Sequence, residues 1–112
     1  MVSPTIEYVI EQANKRYNPN SWNLYAFHCS DGDNWSSDME KTCQLNEVLK
    51  DMCQFYGYCE IVPDGEIRWS GSTPLSEAYE PFTDSKFKVG HINKKEDVWG
   101  VFRNFFGNKF DN

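Results

Sequence analysis

The stretch W-N-L-Y-A-F-H-C, Trp22 to Cys29, decides the fold. Apolar side chains fall on both of its alternating faces, where a half-exposed strand would interpose polar ones. A segment of this kind suits a strand covered on both sides, the usual state of strands in a parallel sheet. Directly after it comes S-D-G-D-N, Ser30 to Asn34, with two carboxylates and an amide packed into its last four residues, Asp31 to Asn34.

The flanking segments support that reading. Upstream, Ser3 can cap a helix with Pro4 in its first turn, where a missing N–H costs nothing. Ile6, Val9, Ile10, Ala13 and Tyr17 then make one apolar stripe, which Asn18-Pro19-Asn20 ends. Downstream, Ser37 and Glu40 have capping-box spacing. Leu45, Val48, Leu49, Met52, Cys53 and Tyr56 form the next helical stripe, and Gly57 is placed to stop it.

Tyr58 to Val62 reads as a second strand, followed by a Pro63-Asp64-Gly65 turn and a short hairpin return over Glu66 to Trp69. Ser72-Thr73-Pro74 opens a short helix through Tyr79, and Phe87 to Ile92 reads as a third strand. Asn93 and Glu96 repeat the capping-box geometry before a last helix striped with Val98, Val101, Phe102 and Phe105 and stopped near Gly107. Alternating helices and strands imply crossover connections. The expected fold is therefore α/β, a three-layer fragment in which about three parallel strands lie between helices, with residues 1–112 as one domain.

Composition narrows the function. A net charge of -6 argues against wrapping a phosphate backbone, so nucleic acid is not an expected partner. No apolar run approaches the roughly 20 residues that span a bilayer, and the N-terminus has no signal-like segment; a cytoplasmic protein is expected. Cys29, Cys43, Cys53 and Cys59 show no C-x-x-C spacing, and each lies in an apolar pattern, as reduced cysteines filling a core do.

The acidic loop has two readings on its own residues. At the carboxyl end of a parallel strand, Ser30, Asp31, Asp33 and Asn34 all offer oxygens to a hard cation such as Mg²⁺ or Mn²⁺. They equally suit an Asx-turn that caps loop amides and the following helix. An EF-hand is excluded, because its sixth and twelfth positions would be Ser36 and Thr42. His28 and His91 lie in strands without a companion nucleophile. Glu60 reads as a solvated edge residue.

The run Tyr17-Asn18-Pro19-Asn20-Ser21-Trp22-Asn23-Leu24-Tyr25, followed by Ser30 to Asn34, resembles the bacterial YeaH/YhbH family. Phe55-Tyr56-Gly57-Tyr58, Ser72 to Tyr79 and Asp97-Val98-Trp99 extend the likeness along the whole chain. The resemblance implies the second half of a von Willebrand factor A-like domain, whose adhesion site holds a metal ion with three separated loops. Ser30-Asp31-Gly32 matches one of them, so the metal role carries over to Asp31; Asp-x-Ser-x-Ser, which should supply another, is absent.

From this follow the functional expectations. The chain is expected to be a non-enzymatic protein-interaction module in a bacterial stress, starvation or sporulation programme, with no cofactor when isolated and Mg²⁺ or Mn²⁺ in a longer parent. Its implied partner is a PrkA-type serine protein kinase. The alternatives are a metal-dependent hydrolase centred on the SDGDN loop and a purely structural fragment. Loss of a neighbouring strand leaves Leu24 to Cys29 as an open edge, which is expected to pair two copies into a homodimer.

Overall fold

The computed structural model describes residues 1–63 and 73–107. Helix α1 (Ser3–Arg16) leads to strand β1 (Tyr25–Ser30); α2 (Met39–Met52) follows a short 3-10 turn at Ser36–Asp38. Then come β2 (Phe55–Ile61), α3 (Leu75–Tyr79), β3 (Phe87–Ile92) and α4 (Asp97–Phe106). The three strands are parallel in the order β1-β2-β3, with Tyr25 opposite Phe55 and Tyr56 opposite Phe87. The expected α/β architecture with three parallel strands is the one observed.

Two clusters make the layers. On one face Tyr56, Tyr58 and Phe87 pack with Ile6, Leu49, Leu75 and Tyr79 from α1, α2 and α3. On the other, Phe55, Cys59 and Ile92 pack with Val101 and Phe105 of α4. Gly57 and Gly90 let α4 settle close to the sheet: an added Cβ would lie 2.7 Å from the Phe105 ring at Gly57 and 2.6 Å from Val101 at Gly90.

That contact corrects the expected role of Gly57. It does not stop α2, which ends at Met52; it sits inside β2, where an aromatic ring takes the place of a side chain. Tyr56 accordingly belongs to the strand and not to the helical stripe. Strand β2 begins three residues earlier than its pattern suggested and is buried through Glu60. Helix α2 buries Thr42, Asn46 and Leu49, while Val48 is exposed.

The helix starts also differ from the capping-box reading. Ser37 lies in the 3-10 turn, and neither α1 nor α2 has a side-chain cap from its own N-cap residue. Before α4 it is Asp97 that reaches back, accepting the N–H groups of Asn93 (2.9 Å) and Lys94 (3.2 Å). The expected turn at Pro63-Asp64-Gly65 and the return over Glu66 to Trp69 fall largely or wholly outside the described residues.

Strand β1 is not covered on both sides. Tyr25 is 51% and Phe27 43% exposed, because α4 sits over β2 and β3 and reaches β1 only through the rings of Phe102, Phe105 and Phe106 against Phe27. Its outer edge can be read from the ladder. Tyr56 and Val62 donate their N–H groups toward β3, to Lys86 (2.9 Å) and Ile92 (3.0 Å). Backbone groups alternate in direction along a strand, so Phe55, Gly57 and Cys59 face β1 and meet its even-numbered residues. The N–H and C=O groups of Tyr25, Phe27 and Cys29 therefore point away from the sheet.

Candidate functional site

The loop after β1 folds back on the sheet through its own first residue. The Ser30 hydroxyl lies 2.7 Å from the Tyr58 hydroxyl and accepts the Gly32 N–H at 3.1 Å. Gly32 has φ +88°, in the left-handed region that glycine enters without strain, which lets the loop reverse over the strand end. Its carbonyl accepts the Leu75 N–H at 3.0 Å, joining the loop to α3. Asp31 accepts the Asp33 N–H at 2.9 Å, the Asx-turn geometry.

Asn34 turns inward. Its side-chain oxygen accepts the Val2 N–H at 2.9 Å, and its amide donates to the Thr42 hydroxyl at 3.1 Å. Beside it, the carboxylate of Asp38 accepts the Ser3 N–H (3.0 Å), the Ser3 hydroxyl and the Thr42 hydroxyl (2.9 Å). The first turn of α1 is thus capped from more than thirty residues away, with a negative charge set at the positive end of the helix. Ser3 is a donor to this centre and not the cap of its own helix. Burial opposes the charge on Asp38, yet the Ser3 and Thr42 hydrogen bonds prevail and hold its carboxyl at about 2.

A second buried carboxylate stands at the end of β2. Glu60 is 3% exposed and accepts the Ser76 N–H (3.0 Å), the Ser76 hydroxyl and the Tyr58 hydroxyl (3.1 Å). It is not the solvated edge residue its place in the sequence suggested. Ser30, Tyr58, Glu60 and Ser76 form one connected polar chain across the carboxyl ends of β1 and β2. No local pattern links Glu60 to Ser76; the signal for Asp38 was its i, i+4 spacing with Thr42.

His28 is half-buried, edge-on to the Tyr58 ring at 5.2 Å, and burial lowers its pKa. His91 is exposed at the register position beside Glu60. The exposed Trp99 lies on α4 away from the core.

These residues do not fit a complete cation site. Asn34 Oδ1 is taken by Val2, and Ser30 Oγ by Tyr58 and Gly32. Among the described residues no three His, Cys, Asp or Glu side chains come together as a metal cluster. No helix among them is long and apolar enough to cross a membrane.

The sequence profile of a family described as "Protein of unknown function (DUF444)" matches residues 1–109. The chain belongs to the DUF444 family. This is the YeaH/YhbH family that the motifs resembled. Among curated DUF444-like relatives, a UPF0229 protein of Ruminiclostridium cellulolyticum is 44% identical over 97 residues, covering 87% of this chain and 24% of the relative. One from Sinorhizobium medicae is 36% identical over 115 residues, covering 96% and 26%. A third, from Pectobacterium atrosepticum, is 37% identical over 109 residues, covering 95% and 24%. The chain spans about a quarter of the length of these relatives. No solved structure matches it.

Proposed function

We propose that this chain is a non-enzymatic protein-interaction module of the DUF444 family, the closing segment of a von Willebrand A-like domain, acting through the open edge of β1. The observation that carries the reading is that edge: Tyr25, Phe27 and Cys29 aim backbone donors and acceptors outward, and β1 has no charged residue to blunt them. An apolar cleft of about 280 Å³, walled by Ile6 and Val9 of α1 and Ala26 and His28 of β1, runs beside it. The consecutive parallel order of the three strands supports the domain assignment.

In isolation the edge pairs with a second copy. Antiparallel pairing centred on Phe27 places Tyr25 opposite Cys29 of the second copy and satisfies all three outward residues on each chain. Light scattering over a concentration series should show a mass rising from monomer to dimer. Tyr25→Lys, at a half-exposed position, should raise the dissociation constant at least about tenfold by burying a charge at the seam. A wild-type chain that stays monomeric at the highest concentration would refute the edge as the interacting element. Family resemblance offers a PrkA-type kinase as the physiological partner, in a stress, starvation or sporulation setting; loss of kinase binding in Tyr25→Lys would support it.

The acidic loop, on this reading, contributes Asp31 to a Mg²⁺ or Mn²⁺ site whose other ligands come from the rest of the family polypeptide. A divalent ion takes about six oxygens, which one aspartate does not provide. Calorimetric titration of the isolated chain with Mg²⁺ or Mn²⁺ should therefore show no micromolar binding, and such binding would defeat the assignment.

A further inference from the structure

Two of the four cysteines occupy one spot in the fold. Cys29 of β1 and Cys59 of β2 are register partners on adjacent parallel strands, so their side chains stand on the same face, the one turned to α4. Cys29 is exposed, whereas Cys59 beneath it is 1% exposed. Cys43 and Cys53 belong to the cluster on the opposite face of the sheet. Cys29 and Cys59 therefore combine access from solvent with a second thiol at the same register position.

We propose that Cys29 and Cys59 form a peroxide-responsive dithiol that closes reversibly into an intramolecular disulfide. The inference stands on the register and burial of the pair and is independent of the edge reading. Adjacent strands lie about 4.8 Å apart, inside the Cα separation that a disulfide bridges.

The chemistry divides the roles. Burial, with Cys29 alongside, pushes the Cys59 thiol up to about 12, which keeps it protonated and unreactive toward an oxidant. The exposed Cys29 is the sulfur a hydroperoxide reaches. Its thiolate attacks the terminal peroxide oxygen, the O–O bond breaks, and the alcohol or water leaves with the thiol's proton. Cys29 is then a sulfenic acid. The Cys59 sulfur attacks that sulfur; the S–S bond forms, the S–O bond breaks, and hydroxide departs as water with the Cys59 proton. In sum, two thiols and one hydroperoxide give a disulfide, an alcohol and water.

In-register Cβ atoms on parallel strands are farther apart than the roughly 3.8 Å a relaxed disulfide prefers, so closure strains the bond. Strained disulfides have higher reduction potentials and reopen readily with a thiol reductant, as a reversible site requires.

The test treats the reduced full chain with hydrogen peroxide and follows intact mass and a non-reducing peptide map. The expected product has lost two hydrogens, links the Cys29 and Cys59 peptides, and reverts with dithiothreitol. Cys29→Ser, at an exposed position, should slow thiol oxidation at least about tenfold, leaving a half-buried Cys43 and the buried Cys53 and Cys59. Cys59→Ala should strand Cys29 as a sulfenic acid trapped by dimedone. Linkage through Cys43 or Cys53, a disulfide only between two copies, or oxidation of Cys29 straight to sulfinic acid would each overturn the proposal. If Cys59→Ala fails to fold, the wild-type map and Cys29→Ser decide it.

Discussion

Asp38→Ala should destabilise the fold by about 3 kcal/mol or more, because it strips partners from several buried groups at once. The Ser3 N–H, the Ser3 hydroxyl and the Thr42 hydroxyl all converge on this carboxylate, which is 6% exposed. A buried donor left unpaired costs roughly 1–3 kcal/mol, and α1 also loses the charge at its amino end. Urea unfolding followed by circular dichroism would register the change as a lowered midpoint. Asp38→Asn keeps the shape but not the charge and should fall between the two. A midpoint within error of wild type would remove Asp38 from its place as the anchor of α1.

The same carboxylate sets an acid limit. Its folded pKa, about 2, lies below its ordinary value of 3.8. A depressed folded pKa means that the unfolded chain binds the proton more tightly, so protonation favours unfolding. The contribution is complete above about pH 5 and is lost as pH falls from about 4 toward 2. Asp84, held at about 2 chiefly by Lys50, titrates in the same window. Asp38→Ala should therefore flatten the acid limb of a stability profile without abolishing it.

Glu60→Ala should have a comparable effect, about 3 kcal/mol, for the same reason at a different place. It leaves the Ser76 N–H and hydroxyl without the carboxylate and deprives the Tyr58 hydroxyl of one of its partners. Because Tyr58 in turn contacts Ser30, the disturbance should reach the acidic loop. Amide exchange at Gly32 and Leu75 should accelerate more than exchange in the centre of β3. Uniform acceleration across the sheet would show that Glu60 serves global stability alone. Glu60→Gln, which keeps an acceptor oxygen, should recover part of the loss.

Much of the fold was legible in periodicity. Strand β3 was read at its observed bounds, and the stripes of α1 and α4 placed Ile6, Val101 and Phe105 in the core where they are found. What misled was identity taken without tertiary context. Gly57 carries a helix-stop signal, but a ring from α4, forty-eight positions later at Phe105, needs its missing side chain. Ser3 and Ser37 have capping chemistry, yet α1 is capped by Asn34 and Asp38, and α2 has no side-chain cap from its N-cap residue. The polarity of the loop after β1 divides in a way its residues did not reveal: Asp31 shapes the turn, while Asn34 points into the body of the protein. The partner of Glu60 sits across an intervening connection that no short-range rule spans.

All three strands run in the same direction, each joined to the next by a crossover. Among the described residues no two neighbouring strands can therefore zip up from a tight hairpin, and the pairing of β1 with β2 must wait until α2 has closed a long loop. Topologies dominated by such distant pairings self-assemble slowly and leave sticky intermediates waiting. When the isolated chain refolds, Leu24 to Cys29 therefore stays unpaired until β2 docks, and slow, concentration-sensitive refolding is the expected consequence.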